Sequence, residues 1–116
     1  MSFEELTIGM IGGGNMARAL VRGLLQAGHP AARIQVADPD PAQLEQVVAL
    51  HASVGIHGDN REVARTAEVL VLAVKPQLMS EVARQLAMGP RREGQLVLSV
   101  AAGITLESLA EWFGPS

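Results

Sequence analysis

Cysteine is absent from all 116 residues. That excludes disulfides, thiolate metal sites and cysteine nucleophiles. An excess of positive charge is also missing. Nine Lys and Arg stand against 12 Asp and Glu, for a net charge of −3, which argues against nucleic acid as the main partner, because phosphate binding needs a basic face. No long apolar run occurs. The longest, Val69-Leu70-Val71-Leu72-Ala73-Val74, is too short to span a bilayer but suits a strand buried on both faces. The start, Met1-Ser2-Phe3-Glu4-Glu5, is acidic and lacks the basic segment of a signal peptide. His29, His51 and His57 do not form a metal-ligand pattern, so no metal is expected. These absences point to a soluble, cytoplasmic domain that works neither on nucleic acid nor on a membrane.

What is present is a chain with 48% hydrophobic residues, enough to fold. Its length fits one domain, spanning residues 1–116, and leaves no room for two. Short apolar runs alternate with helix-like stretches, the pattern of an α/β fold with a parallel sheet. Strands are expected at 6–11, 34–37, 53–56, 68–74 and 95–100. Helices are expected at about 15–27, after Asp40-Pro41, from an Asn60 cap through 67, at 76–87 and after Thr105. In the first of these the apolar positions include Met16, Leu20 and Leu24. In the fourth, Leu78, Val82 and Leu86 share a face. Right-handed crossovers then give a doubly wound Rossmann sheet of strand order 3-2-1-4-5.

Between the first strand and first helix lies Gly12-x-Gly14-x-x-Ala17. Gly12 would make the tight turn, Gly14 would let a pyrophosphate approach the backbone, and Ala17 would let the helix pack tightly on the sheet. The N–H groups and positive dipole end of that helix would hold the phosphates. Asp38, at the end of the second strand, could accept the ribose hydroxyls. Both features also have plain readings, as a strand-to-helix turn and as a turn former before Pro39. Ligands on such sheets sit beyond the carboxyl ends of the strands, where strand order reverses. Lys75 falls near that edge, and Ala101 and Ala102 would leave space there for a flat ring. Lys75 reads equally well as a solvated charge before a helix-starting proline. Ser99 lacks the elbow of a serine nucleophile, and no catalytic residue is assigned.

Three motifs together resemble the N-terminal domain of pyrroline-5-carboxylate reductase. They are Ile11-Gly12-Gly13-Gly14-Asn15-Met16-Ala17, Ala73-Val74-Lys75-Pro76-Gln77 and Ser99-Val100-Ala101-Ala102-Gly103-Ile104-Thr105. The glycine loop alone is shared with many dehydrogenases; the other two make the match specific. The resemblance implies reduction of the cyclic imine 1-pyrroline-5-carboxylate to L-proline by hydride from NADPH or NADH, the last step of proline biosynthesis. It places the pyrophosphate on Ile11, Gly12, Gly13, Gly14, Asn15 and Met16. It places the adenosine end near Asp38 and Asn60, and the nicotinamide side at Ala73, Val74, Lys75, Pro76, Val100, Ala101 and Ala102.

Two departures from the family pattern stand out. Asp38-Pro39-Asp40 puts two carboxylates where members that favour NADPH often have Ser, Asn or Arg, so NADH is expected to be tolerated at least as well as is usual. The family's C-terminal helical domain, which carries the dimer interface and most imine-binding groups, has no counterpart here. The isolated chain is therefore expected to bind a dinucleotide but to turn over slowly, and to self-associate through an open sheet edge or an aromatic of the Trp112-Phe113 pair. The full-length family implies a homo-oligomer. The competing readings are another NAD(P)-dependent reductase of the β-hydroxyacid dehydrogenase type and a non-catalytic nucleotide-sensing module.

Overall fold

The structure is a computed structural model that describes residues 3–89 and 91–100. Among these, the elements alternate strictly. β1 (Ile8–Ile11) leads to α1 (Asn15–Gln26), β2 (Ile34–Ala37) to α2 (Pro41–Leu50), β3 (Gly55–His57) to α3 (Asn60–Thr66), and β4 (Val69–Leu72) to α4 (Pro76–Met88), before β5 (Leu96–Ser99). All strand pairs are parallel and the order is β3-β2-β1-β4-β5, as the crossover rule required. The segment expected to form a last helix after Thr105 lies outside the described residues.

Side chains alternate across the central strands because the strand period is two. Ile8 and Met10 of β1 join Ile34, Val36, Val21 and Val47 in a cluster under α1 and α2. Ile11 of β1 joins Leu70, Leu72, Val63, Met79 and Leu86 in a second cluster under α3 and α4. The sheet is therefore covered on both faces, and β1 is buried along its whole length. Burying each such Leu, Ile or Val contributes roughly 1.5–3 kcal/mol before ordering costs. Gly9 decides how closely α3 sits. A Cβ there would fall 2.3 Å from Val63 Cγ1 and 2.8 Å from Ala67 Cβ, so α3 rests directly on the β1 backbone. The C-terminal end of this short helix is also tied by Gln95, whose Nε2 donates to the carbonyls of Ala64 and Ala67.

Two of the expected helix stripes each have one residue turned outward. The first helix buries Ala17 and Val21, while Met16 is 54% exposed. The fourth buries Met79, Ala83 and Leu86, and Leu78 is 47% exposed. The other expected positions face the core: Leu20 and Leu24 pack against the cluster under α1 and α2, and Val82 packs beside buried Leu86 in the second. The third helix is capped by Asp59, not Asn60: the Asp59 carboxylate accepts the Arg61 amide at 2.9 Å, and Asn60 is the first helical residue. The third strand begins at Gly55, two residues later than expected, and the first begins at Ile8 rather than at residue 6. The predicted cap and proline start of the second helix hold: Asp40 Oδ1 accepts the Ala42 amide at 3.0 Å, and Pro41 opens the helix.

Candidate functional site

Strand order reverses at β1, which has β2 on one side and β4 on the other. The crevice beyond the carboxyl end of β1 opens there. The Gly12 amide donates to Ala37 O at 2.7 Å, and the Ala73 amide donates to Ile11 O at 2.8 Å, so the ends of three strands are laced together around the turn. Gly12 has φ +105°, and a Cβ on it would stand 2.8 Å from Ala73 O. Only glycine fits both the conformation and the space. At Gly14 the situation is the reverse: a Cβ would meet nothing within 4 Å. The backbone there is bare on the open side.

Gly14 caps α1 with no side-chain hydrogen bond, and the first turn holds no acidic residue. The amides at the start of α1 therefore face the crevice with the positive end of the helix dipole. The Gly13 amide is not among the available donors. It donates to Asp38 Oδ2 at 2.8 Å. Asp38 Oδ1 accepts the Asp40 amide at 2.8 Å. One carboxylate thus joins the glycine turn to the β2–α2 turn, and each oxygen keeps a lone pair for a further donor.

A second tie comes from Arg18, a residue the sequence reading did not single out. Its Nη1 donates to Gly13 O at 2.8 Å and to Gln43 Oε1, and its Nη2 donates to Asn15 Oδ1. The guanidinium's fixed fork suits three acceptors placed in this way. The signal for it was the helical spacing: Arg18 stands three residues after Asn15, one turn along the same face.

These elements border a cleft of about 1030 Å³, at the upper end of the usual size for small-molecule sites. Of the residues expected in the site, Gly12, Gly14, Asp38, Asn60, Ala73, Val74 and Lys75 line it together. Ile11 and Gly13 are buried beneath it. Asn15 and Met16 stand at the exposed start of α1, and Pro76 is exposed at the start of α4. Val100 packs against the cluster under α1 and α2. Ala101 and Ala102 lie outside the described residues. The cleft also has an apolar wall that the sequence reading missed, made by Leu78, Val82 and Met88 of α4. Two of its members, Leu78 and Val82, belong to the apolar face expected on α4; Met88 stands off that spacing.

At the far end, Asp59 and Arg61 form a two-point ion pair, with Nη2 to Oδ2 at 3.1 Å and Nε to Oδ1 at 3.3 Å. Arg61 holds the Asp59 carboxyl below its ordinary 3.8, through its side-chain hydrogen bond first and its amide second. The Arg61 stem runs past Gly89, whose Cβ position lies 3.3 Å from Arg61 Cδ. Among the described residues no cluster of three His, Asp or Glu could hold a metal ion, and no helix is long and apolar enough to cross a membrane.

A parallel, doubly wound sheet with a glycine turn and an uncapped helix start at the switch point defines a protein of the dinucleotide-binding α/β class. The family model described as "NADP oxidoreductase coenzyme F420-dependent" matches residues 7–103, and the chain belongs to that family. The resemblance carried by the three sequence motifs is borne out. The chain is 42% identical over 107 residues to the pyrroline-5-carboxylate reductase of Pseudomonas aeruginosa, an alignment covering 92% of this chain and 38% of that protein. It superposes on a pyrroline-5-carboxylate reductase structure from Coxiella burnetii with a TM-score of 0.86 and 37% identity, over 94% of this chain and 40% of that one. A pyrroline carboxylate reductase structure from Plasmodium falciparum with NADP bound shares the fold at a TM-score of 0.82 and 23% identity, over 99% of this chain and 40% of that one. The chain thus spans about two-fifths of the length of the relatives it matches.

Proposed function

We propose that this chain is the dinucleotide-holding part of a reductase that converts 1-pyrroline-5-carboxylate to L-proline with NADPH or NADH as hydride donor. The observation that carries the reading is the uncapped start of α1, set behind a positive-φ glycine at the point where strand order reverses. Likeness to pyrroline-5-carboxylate reductases over more than nine-tenths of the chain supports the choice of substrate.

The residues fit a dinucleotide in size and chemistry. The backbone from Gly12 through Met16 holds the pyrophosphate, mainly through amides beyond Gly13, whose own amide is taken by Asp38. The free lone pairs of Asp38 accept from the ribose, and Asn60 stands at the adenosine end. Ala73, Val74, Lys75 and Pro76, with Val100, Ala101 and Ala102, border the nicotinamide. When bound, the cofactor supplies the hydride. The protein's share is to hold it still and keep water from the reacting face. The imine and the native homo-oligomer contacts belong to the remainder of the full-length protein, in the cytoplasm.

Calorimetry with NADH and NADPH on the chain, followed by fusion to the C-terminal domain of a relative and an imine-dependent assay, tests the reading. Binding without turnover, then proline formation by the fusion, is the expected result. Absence of heat with both coenzymes would refute it.

A further inference from the structure

The acidic residues at the adenosine end set what that end tolerates. This inference rests on the dinucleotide reading and goes past it to the choice between two coenzymes. The two differ only by a phosphate on the 2′-oxygen of the adenosine ribose, the oxygen that an acidic residue at the end of the second strand receives. A 2′-phosphate would therefore stand against Asp38 and the turn that follows it.

Three observations bear on its reception there. First, Asp38 and Asp40 both line the cleft, and neither has an arginine or lysine among its side-chain partners. Second, the α2 start lies three residues past Asp38, and as a place for an anion it is filled by the chain's own Asp40, whose Oδ1 accepts the Ala42 amide. The α3 start is likewise closed by Asp59. Among the described α-helices only α1 and α4 begin without a side-chain cap, and α1 is the one that serves the pyrophosphate. Third, the cations near the end of β2 are already engaged. Arg18 is bound to Gly13, Asn15 and Gln43. Arg61 is held in the two-point pair with Asp59, its stem alongside Gly89. Lys75 follows β4, two strands from β2, a separation of roughly 10 Å at the usual strand spacing and about one Debye length at physiological salt.

We propose that the cleft selects a dinucleotide with a free 2′-hydroxyl over its 2′-phosphorylated form, with Asp40 and Asp59 acting beside Asp38 as specificity determinants. Asp40 repels the phosphate and blocks the helix start. Asp59 keeps Arg61 from turning to meet it. Like charges brought together suppress the wrong ligand more than they strengthen the right one.

The test is a set of calorimetric titrations of the full chain with NADH, NADPH, 5′-ADP and 2′,5′-ADP. The variants are Asp40→Asn, Asp59→Asn and the double change. Asparagine is as good a helix cap as aspartate, so the helices keep their starts while the charges go, and circular dichroism melts check this. The wild type should bind NADH and 5′-ADP at least about tenfold tighter than their 2′-phosphorylated partners, and the double variant should narrow that ratio by about tenfold or more. Equal or tighter binding of NADPH by the wild type would overturn the proposal. So would a ratio that the double variant leaves unchanged. If none of the four ligands binds, the dinucleotide reading itself fails. If 5′-ADP and NADH bind but do not discriminate, the failure belongs to this inference alone.

Discussion

Asp38 and Gly13 are 25 residues apart in the chain, yet the Gly13 amide donates to the Asp38 carboxylate at 2.8 Å. The residue best placed to take a ribose is thus also a strut of the phosphate turn. Substituting Asp38→Asn leaves one accepting oxygen where two amides now donate. If the Gly13 amide loses its acceptor the cost is roughly 1–3 kcal/mol, and less if the exposed Asp40 amide is the one released to water. Both stability and affinity for NADH should fall, whereas loss of a ribose contact alone would reduce affinity only. Chemical denaturation run beside calorimetry separates the two.

Arg18 should behave differently. Its three acceptors belong to the loop, to the start of α1 and to α2, and it does not line the cleft. Substituting Arg18→Met keeps the aliphatic stem and removes the fork. The loop loosens, and coenzyme affinity should drop by about three- to thirtyfold, from the loss of one to two hydrogen bonds' worth of ordering. The melting temperature should move little. Affinity equal to wild type would show that the loop holds its shape without the guanidinium.

Gly12 tests the turn itself. An alanine there must adopt φ near +105° and place its Cβ against Ala73 O. Conformational cost and overlap together should amount to about 2–4 kcal/mol. At Gly14, where the Cβ position is open, alanine should leave stability within about 1 kcal/mol and weaken coenzyme binding instead. Paired melts and titrations of Gly12→Ala and Gly14→Ala would reveal this split, and similar stability losses in both would contradict the geometry.

Acid titration probes the Asp59–Arg61 pair. Because Arg61 lowers the folded-state pKa of Asp59 below 3.8, the pair's contribution is fully present above that value and is lost as pH falls through the lower folded one. Asp59→Asn keeps the cap but not the ion pair. Wild type should hold a small advantage in urea midpoint at about pH 6, small because both partners are exposed. That advantage should be gone at about pH 2. An advantage that persists in acid would assign it to something other than the ion pair.

The strand order, the glycine turn, the Asp40 cap and the carboxylate at the end of β2 were all legible in the sequence. Each is written in residues whose local chemistry admits few alternatives. Gly12 at a strand end and Pro41 after Asp40 are examples. Helix phase was less legible. Leu78 has the same spacing as Val82 and Leu86, which do face the core, and only the buried position of Met79 tells that the first turn of the helix points Leu78 to the cleft. Asp59 and Asn60 are both good caps. Asp59 takes the role, its carboxylate accepting the Arg61 amide and the Arg61 side chain together. Arg18 was missed because its role lies in a partner on another helix, Gln43, which no local pattern names.

The missing side chain at position 9 has a consequence for how this sequence can drift. Val63 and Ala67 occupy the volume that a larger residue on β1 would need. Position 9 can therefore grow in descendants of this gene only if 63 or 67 shrinks at about the same time, and the three should vary as a linked set.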